Sequence, residues 1–306
     1  MILLHPVTLS RRTFLLAGIT TLAWGQTKTP TCSLTAEQEE GPYYIDDRIV
    51  RREITEGKPG IPLELRIAVV DAKSCAPVPH AAIDIWHCDA LGIYSGFAAT
   101  NLGRPHGGAG DRPPPPGSGA VGEPGPPPMP PPRPHHQADA SRYLRGVQLT
   151  DAKGRAEFAT LYPGWYPGRA IHIHLKVHIG SAVDSARDRG GHVCHTGQLF
   201  FPEEITADIA KLEPYATRQH VRRTLQSEDG VFERQRGSAS MLDLTRLSRR
   251  TNADGFLATV TLAVEPEATP SPVRPFGSMG PGSLPAPGSP NPTARKTDID
   301  AGLLKG

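Results

Sequence analysis

The chain has 306 residues and is nearly neutral, with 33 lysines and arginines against 31 aspartates and glutamates. This balance excludes the basic surface through which proteins bind nucleic acids or anionic membranes. Hydrophobic residues make up 38% of the chain, a low share, because many of its 33 prolines and 32 glycines are concentrated in two stretches. We therefore expect a single domain of about 200 ordered residues.

Residues 1–30 have the pattern of a signal peptide. A twin-arginine motif from Ser10 to Leu16 overlaps an apolar run that ends at Trp24. That run is shorter than the roughly 20 apolar residues of a membrane-spanning helix, although a short membrane anchor is the alternative. We predict export by the twin-arginine pathway to the periplasm or the extracellular space.

Four cysteines remain after export: Cys32, Cys75, Cys88 and Cys194. An even number in an oxidising compartment permits two disulfides, and the sequence does not choose among the three possible pairings. A thiolate metal site is the alternative, but no CxxC spacing supports it.

Alternating apolar residues predict the first strands. The pattern runs from Leu63 to Val69 and from Ala81 to Ile85, with the period of two that half-buried strands show. Residues 103–140 are dominated instead by proline and glycine, and too few apolar side chains are present to form a packed core. We predict a disordered or polyproline insertion there.

Strands are predicted again beyond Arg142. Val147 and Leu149 begin one, and a turn after Asp151 predicts that it continues through Phe158 as a hairpin. The clearest strand is Ile171 to Ile179. Its odd positions are apolar, whereas its even positions are His172, His174, Lys176 and His178.

The remainder contains one more strand and little helix. Residues 203–225 are predicted to be helical or irregular, with Glu203 and Glu204 at a helix N-terminus, and Phe256 to Leu262 alternate as a last strand. Residues 265–306 are predicted to form a disordered tail. These elements predict an all-β fold: one β-sandwich of mostly antiparallel strands with long irregular loops, spanning residues 31–264.

Two histidines on one strand suggest a metal site. The Cα atoms of His172 and His174 lie about 7 Å apart on one face, so both rings can reach one ion, although this pattern alone is a weak signal. Nearby turns present Tyr166, with Arg169 beside it, and Tyr94. Anionic oxygen ligands favour a hard, highly charged cation such as Fe(III) over zinc.

The sequence resembles the intradiol ring-cleavage dioxygenases, most closely their exported single-domain members. The resemblance covers segments spread across most of the chain outside the two proline-rich stretches. They are Leu34–Gln38, Glu40–Tyr44, Trp86–Phe97, Arg145–Gln148, Pro163–His174, His195–Pro202 and Gly255–Val264. The loop between Tyr166 and Arg169 is cut to two residues, where the best-known members have a longer loop that shapes the substrate pocket.

The resemblance implies the site residues. It makes Tyr94, Tyr166, His172 and His174 ligands of a non-haem Fe(III). Because twin-arginine export carries folded proteins, we expect the iron to be loaded before export. It places Arg169 against the substrate ring, with Gln198 as its active-site partner. Tyr166 would leave the metal and accept a proton from the substrate.

The implied reaction opens a catechol-type ring between its two hydroxyl-bearing carbons with O2, giving a muconate-type product. Catechol, hydroxyquinol, protocatechuate and larger catechols all stay open as substrates, and so does assembly into a homo-oligomer. No nucleic-acid partner is expected.

Several alternatives remain at this point. The pattern from Pro62 to Trp86 is also that of transthyretin-like repeats, which would make the chain a non-catalytic binding module. His172, His174 and His178 could hold zinc or copper, although His178 is predicted to lie too far along the strand to reach iron.

Neighbouring residues also have simpler interpretations. Arg169 could form a plain ion pair with Asp84 or Asp89. His87 is interpreted as a hydrogen-bonded structural histidine. Tyr43 and Tyr44 either line the mouth of the pocket or pack structurally.

Overall fold

The computed structural model describes residues 32–97 and 139–274. The predicted signal peptide, residues 103–138 of the predicted insertion and residues 275–306 of the predicted tail lie outside the described residues. Residues 265–274 are described, and they contain neither helix nor strand.

Within the described ranges, eight strands form two packed sheets. The strands are β1 Pro62–Asp71, β2 Ala82–Trp86, β3 Arg145–Leu149, β4 Arg155–Leu161, β5 His172–Asp184, β6 Arg187–Phe200, β7 Asp243–Arg246 and β8 Phe256–Val264. The first sheet has the order β4-β1-β8-β7, and the second has the order β3-β2-β5-β6. All neighbouring strands are antiparallel except β1 and β8. The predicted all-β sandwich is confirmed.

Short helices fill the long connection between β6 and β8. The helix α1 spans Glu203–Ile209 and begins at the two glutamates predicted for a helix N-terminus. The helix α2 spans Gly230–Arg234, and 3-10 turns cover Tyr215–Arg218, Gln226–Glu228, Gly237–Ser240 and Asn252–Asp254. None of the helices in the described part of the chain has the length and apolar character needed to cross a membrane.

The hydrophobic core lies between the sheets. Alternate residues of each strand point inward, and every second residue from Leu63 to Val69 is at most 1% exposed. Ile83 and Ile85 on β2 meet them from the other sheet and are fully buried. Each such side chain stabilises the fold by about 1.5–3 kcal/mol, so the period of two in the sequence is explained by this shared core.

The predicted hairpin from Val147 to Phe158 is wrong. The turn exists, because the Gly154 amide donates to the Asp151 carbonyl over 2.9 Å. The strands on either side of it belong to different sheets, however, since β3 pairs with β2 and β4 pairs with β1. The turn therefore crosses from one layer of the sandwich to the other.

The sequence pattern also failed to predict one long strand. The long strand β6 was not predicted, because its first half contains glycines and charged residues and its second half is buried on both faces. It pairs with β5 along a hairpin that extends the predicted strand from Ile179 to Asp184.

The N-terminal segment, residues 32–51, covers the outer face of the second sheet. It begins on the first sheet, where the Thr35 amide donates to the Ala263 carbonyl over 2.9 Å. It then reaches β6, where the Gln38 amide donates to the Thr196 carbonyl over 2.9 Å. The outer face of β5 is therefore buried, although its even positions are polar.

One disulfide secures the start of this segment. Cys32 and Cys75 are bonded, which fixes the pairing that the sequence left open. Cys88 and Cys194 are free and buried, so two disulfides, which the cysteine count permits, are not formed.

His87 lies buried at the end of β2, as a structural histidine was predicted to do. Its Nδ1 lies 2.8 Å from the Cys88 carbonyl and its Nε2 lies 2.7 Å from Thr160 Oγ1. Burial lowers the pKa of His87 to about 4, below the unfolded value of about 6.5. Because the unfolded chain binds the proton more readily, this contribution to stability is complete above pH 6.5 and is lost as pH falls toward 4.

We expect His87→Gln to reduce the acid sensitivity of the fold. Between pH 8 and pH 5 the wild type should lose about 2 kcal/mol more unfolding free energy than the variant does. Urea unfolding of the metal-free protein at both pH values measures the difference. His220→Gln, at an exposed position, is the control. Equal losses in the wild type and His87→Gln would contradict the expectation.

Candidate active site

The two predicted histidine ligands lie side by side on the covered face of β5. His172 and His174 are 2% and 1% exposed. Trp86 of β2 is directly opposite His174 in the strand register, and the two rings stack with centroids 5.0 Å apart and an angle of 4° between their planes. The alternation of a single strand thus turns both imidazoles toward one buried space.

The imidazole nitrogens point at each other. His172 Nδ1 lies 2.6 Å from the Ala170 carbonyl, which can only accept, so Nδ1 carries the proton and Nε2 has a free lone pair. The Nε2 atoms of His172 and His174 are 2.9 Å apart. Burial holds the pKa of both rings well below the usual range, which makes both imidazoles neutral, as metal ligands must be.

Tyr166 completes one side of this space. Its hydroxyl lies 3.2 Å from His172 Nε2. The loop that carries it is held by hydrogen bonds on both sides of the tyrosine. Trp165 Nε1 donates to the Val221 carbonyl over 2.8 Å, and the Gly168 amide donates to Thr224 Oγ1 over 3.0 Å.

Tyr94 faces the space from the other side. It is fully buried, and its ring centroid lies 5.8 Å from that of Tyr166 and 6.1 Å from that of His174. Arg145 of β3 holds the turn that presents it, donating to Ser95 Oγ over 2.8 Å and to the Ser95 carbonyl over 2.9 Å. Apart from Tyr166, no described residue is a hydrogen-bond partner of the Tyr94 hydroxyl.

The loops of the two tyrosines are packed backbone against backbone. The Gly164 amide donates to the Asp89 carbonyl over 3.1 Å. A Cβ at position 164 would lie 2.3 Å from the Ala90 carbonyl oxygen, so only glycine allows this approach. The distance between Tyr94 and Tyr166 is therefore set by the backbones of their loops.

The four side chains fit a hard trivalent cation. Two atoms that each bind one ion at about 2 Å lie about 3 Å apart, which is the spacing of the histidine Nε2 atoms. Burial raises the pKa of both tyrosines above the usual value, so phenolate is disfavoured without a counter-charge, and a bound cation would reverse that preference. Within the described residues, the buried Tyr94 hydroxyl has no hydrogen-bond partner outside these four side chains, so its oxygen is available to a cation.

A three-histidine site finds no support. His178 lies further along β5, and its Nδ1 is 3.4 Å from Arg48 Nη1. Across residues 32–97 and 139–274, no three side chains of His, Cys, Asp or Glu come together as potential metal ligands. The predicted separation of His178 from the site agrees with this arrangement.

Arg169 and Gln198 meet at the edge of the site, as a pair of active-site partners would. Arg169 Nη2 donates to Gln198 Oε1. Gln198 is itself fixed, since its Nε2 donates to the Glu39 carbonyl over 2.8 Å. The same carboxamide thus joins the arginine to the N-terminal segment.

The alternative partners of Arg169 were wrong. The carboxylate that pairs with it is Asp229, which lies 3.1 Å from Arg169 Nε. Asp84 accepts from the Tyr44 hydroxyl over 3.0 Å, and Asp89 pairs with Lys58 over 2.8 Å. The separation along the sequence explains the error, because Asp229 lies 60 residues after Arg169.

Sequence reasoning missed one residue that shapes the site, Gly41, and left the role of its neighbour Tyr43 open. Tyr43 stacks on Tyr94 with ring centroids 4.4 Å apart, which shows that it packs against the site. Gly41 lies against the His174 ring, and a Cβ there would be 2.9 Å from Cε1. Both belong to a segment that resembles the family, and only the position of that segment over β5 brings Gly41 to His174.

The chain was compared with known proteins. Neither the scan against protein-family models nor the search of curated proteins found a match. Among solved structures, an intradiol ring-cleavage dioxygenase from Tetranychus urticae is 31% identical over 79% of this chain and 98% of its own, with a TM-score of 0.61. A second solved dioxygenase is 31% identical over 78% and 98% of the two chains, with a TM-score of 0.60. At this identity and coverage, together with the two-sheet fold, the chain belongs to the intradiol ring-cleavage dioxygenase family.

Proposed function

We propose that the chain is a non-haem Fe(III) dioxygenase that opens a catechol-type ring between its two hydroxyl-bearing carbons with O2, giving a muconate-type product. The observation that carries the proposal is the buried pair of Nε2 atoms 2.9 Å apart, with a tyrosine hydroxyl 3.2 Å from one of them. The relatives are named as intradiol ring-cleavage dioxygenases, which supports this reaction class.

Tyr94, Tyr166, His172 and His174 would hold the iron. Bound there, Fe(III) would supply the Lewis acid that binds a catecholate and makes its ring reactive toward O2. Two anionic phenolates and two neutral imidazoles balance most of its charge, which suits a hard cation better than zinc.

The protein groups around that position would bind and orient the substrate. Tyr166 is only partly buried, whereas Tyr94 is fully buried. With iron bound, Tyr166 would be the tyrosinate that can meet an incoming catechol, and its Oη would take one catechol proton and become a phenol. The Arg169 guanidinium would stabilise negative charge that develops on the ring, an effect worth a few kcal/mol in a preorganised site.

Surrounding aromatic side chains keep water out of the site. Tyr43, Trp86 and Tyr94 are at most 2% exposed and pack in one cluster. Charges within such a cluster interact more strongly than they would in water, which increases the effect of Arg169.

Export forms a second part of the proposal. The twin-arginine segment lies outside the described residues, and its sequence pattern is what supports export. The Cys32–Cys75 disulfide supports an oxidising destination such as the periplasm or the extracellular space.

Colour and oxygen uptake test the proposed reaction. The iron-loaded protein should show a visible tyrosinate-to-iron charge-transfer band and should consume O2 with at least one of catechol, hydroxyquinol and protocatechuate. Tyr166→Phe should weaken or shift that band and reduce uptake about 100-fold or more, because a ligand and a proton acceptor are lost together.

Tyr162→Phe is the matched control in the same loop. The Tyr162 hydroxyl lies 2.6 Å from Thr206 Oγ1 and is buried away from the site, so its loss should leave band and uptake unchanged. A colourless wild type after loading with ample iron, with no uptake on any of the three catechols, would contradict the proposal and favour a binding module.

Gly41 tests whether His174 takes part in metal binding. Gly41 has a φ of +75° and packs against the His174 ring. Gly41→Ala should displace that ring and lower iron affinity about tenfold or more. Iron titration followed by the charge-transfer band measures the change.

Gly57→Ala provides the matched control for backbone strain. Gly57 has nearly the same φ, +74°, and a Cβ there meets nothing within 4 Å. The variant carries the same left-handed strain without touching the site. If both variants lost affinity equally, the contact with His174 would have no part in metal binding.

A further inference from the structure

Asp229 is a fully buried carboxylate between Arg169 and the helix α2. It precedes α2, and its Oδ1 caps that helix by accepting from the backbone amides of Val231 over 2.8 Å and Phe232 over 3.3 Å. A helix cap needs one oxygen. The second oxygen, Oδ2, is therefore available for other donors.

Oδ2 holds Arg169 at two points. It lies 3.1 Å from Arg169 Nε and 2.7 Å from the backbone amide of Ala170. The carboxylate thus binds both the head of the arginine side chain and the peptide at its root. Because both ends of the Arg169 side chain are bound to the same carboxylate, the methylene groups between them can adopt few rotamers.

The other edges of the guanidinium are also occupied. Nη2 donates to Gln198 Oε1, and Nη1 lies 3.9 Å from a Glu39 carboxylate oxygen. Since a guanidinium is planar, fixing Nε on Asp229 and Nη2 on Gln198 fixes the plane of the whole group. The arginine side chain is 15% exposed and the aspartate is 0% exposed, so solvent competes little for these bonds.

We propose that Asp229 is the positioning residue of the site, which holds the Arg169 guanidinium in the plane required for ring cleavage. This rests on the function proposed above, because Arg169 matters only if a substrate binds beside it. Asp229 acts through Arg169 and touches neither substrate nor metal. The alternative is that Asp229 serves only as a structural cap of α2.

A double-mutant cycle separates the two roles. Asp229→Asn keeps an oxygen that caps helices as well as aspartate does, but it removes the negative charge. We expect kcat/KM for the best catechol of the panel to fall about 100-fold, mostly in kcat, with iron content unchanged. Arg169→Lys should cause a comparable loss. The double variant should be no worse than Arg169→Lys alone, because Asp229 acts through that residue.

Asp188→Asn is the matched control. Asp188 also forms a 3.1 Å ion pair with an arginine, Arg48, and the side-chain exposures, 16% and 0%, are nearly those of the Arg169 pair. Asp188→Asn removes an ion pair of the same kind away from the site, so turnover should stay at the wild-type level. Additive losses in the Asp229–Arg169 cycle, or full activity of Asp229→Asn, would overturn the proposal.

A readout independent of turnover keeps the test decisive if the proposed reaction is wrong. In the metal-free full chain, the Arg169 Nε–H proton should exchange slowly with water, and its NMR signal is assigned by its absence in Arg169→Lys. Asp229→Asn should accelerate that exchange about 100-fold, since its barrier comes from the buried carboxylate. Asp188→Asn should leave it unchanged.

The combined outcomes distinguish the two hypotheses. If Asp229→Asn accelerates the exchange although the wild type cleaves no catechol, the proposed function is contradicted and Asp229 is retained as the group that orients Arg169. Unchanged exchange would overturn the positioning role whatever the activity. If Asp229→Asn does not fold, Asp229→Ser, which also caps helices, replaces it in both measurements.

Discussion

Burial of polar side chains on the outer face of the second sheet is the constraint on which the rest of the structure depends. That face normally meets water in a sandwich, yet here Gln198 and Lys176 are no more than 9% exposed. An unpartnered buried polar group costs several kcal/mol, so the covering segment must supply partners. It does so with the Gln38 side chain, the Glu39 carbonyl and the Glu40 carboxylate.

The candidate site lies where this cover meets two rigid loops. The loops of Tyr94 and Tyr166 are held by Arg145, Trp165 and the close approach at Gly164, and the histidines are held by strand geometry. Rigid placement of this kind is what a preorganised site requires. Within the described residues, this network gives the Tyr94 hydroxyl no hydrogen-bond partner outside the candidate ligands, which is consistent with a role as a metal ligand.

Much of the fold could be predicted because its signals are local. The period of two located β1, β2, β8 and the first part of β5, each with an apolar face toward the core. The signal failed for β6, whose buried half lacks alternation, and for the turn at Asp151, since a turn does not specify which strands pair. Sheet membership is a non-local property that hydrogen bonds between distant strands decide.

Prediction of the site divided in the same way. His172 and His174 could be placed together from their spacing, and the motifs that resemble the family added Tyr94, Tyr166, Arg169 and Gln198. Asp229 carried no such signal, because an aspartate before a short helix is ordinary, and only folding brings it to Arg169.

The sequence alone determined the sandwich, the family resemblance and the identity of the candidate ligands, since strand periodicity and short motifs are written within a few consecutive residues. Tertiary packing is what buries the histidine face, pairs Cys32 with Cys75 and brings Asp229 to Arg169. These features join residues between 43 and 60 positions apart or depend on a covering segment. Local patterns carry no information about such distances, which are set by the packing of the two sheets.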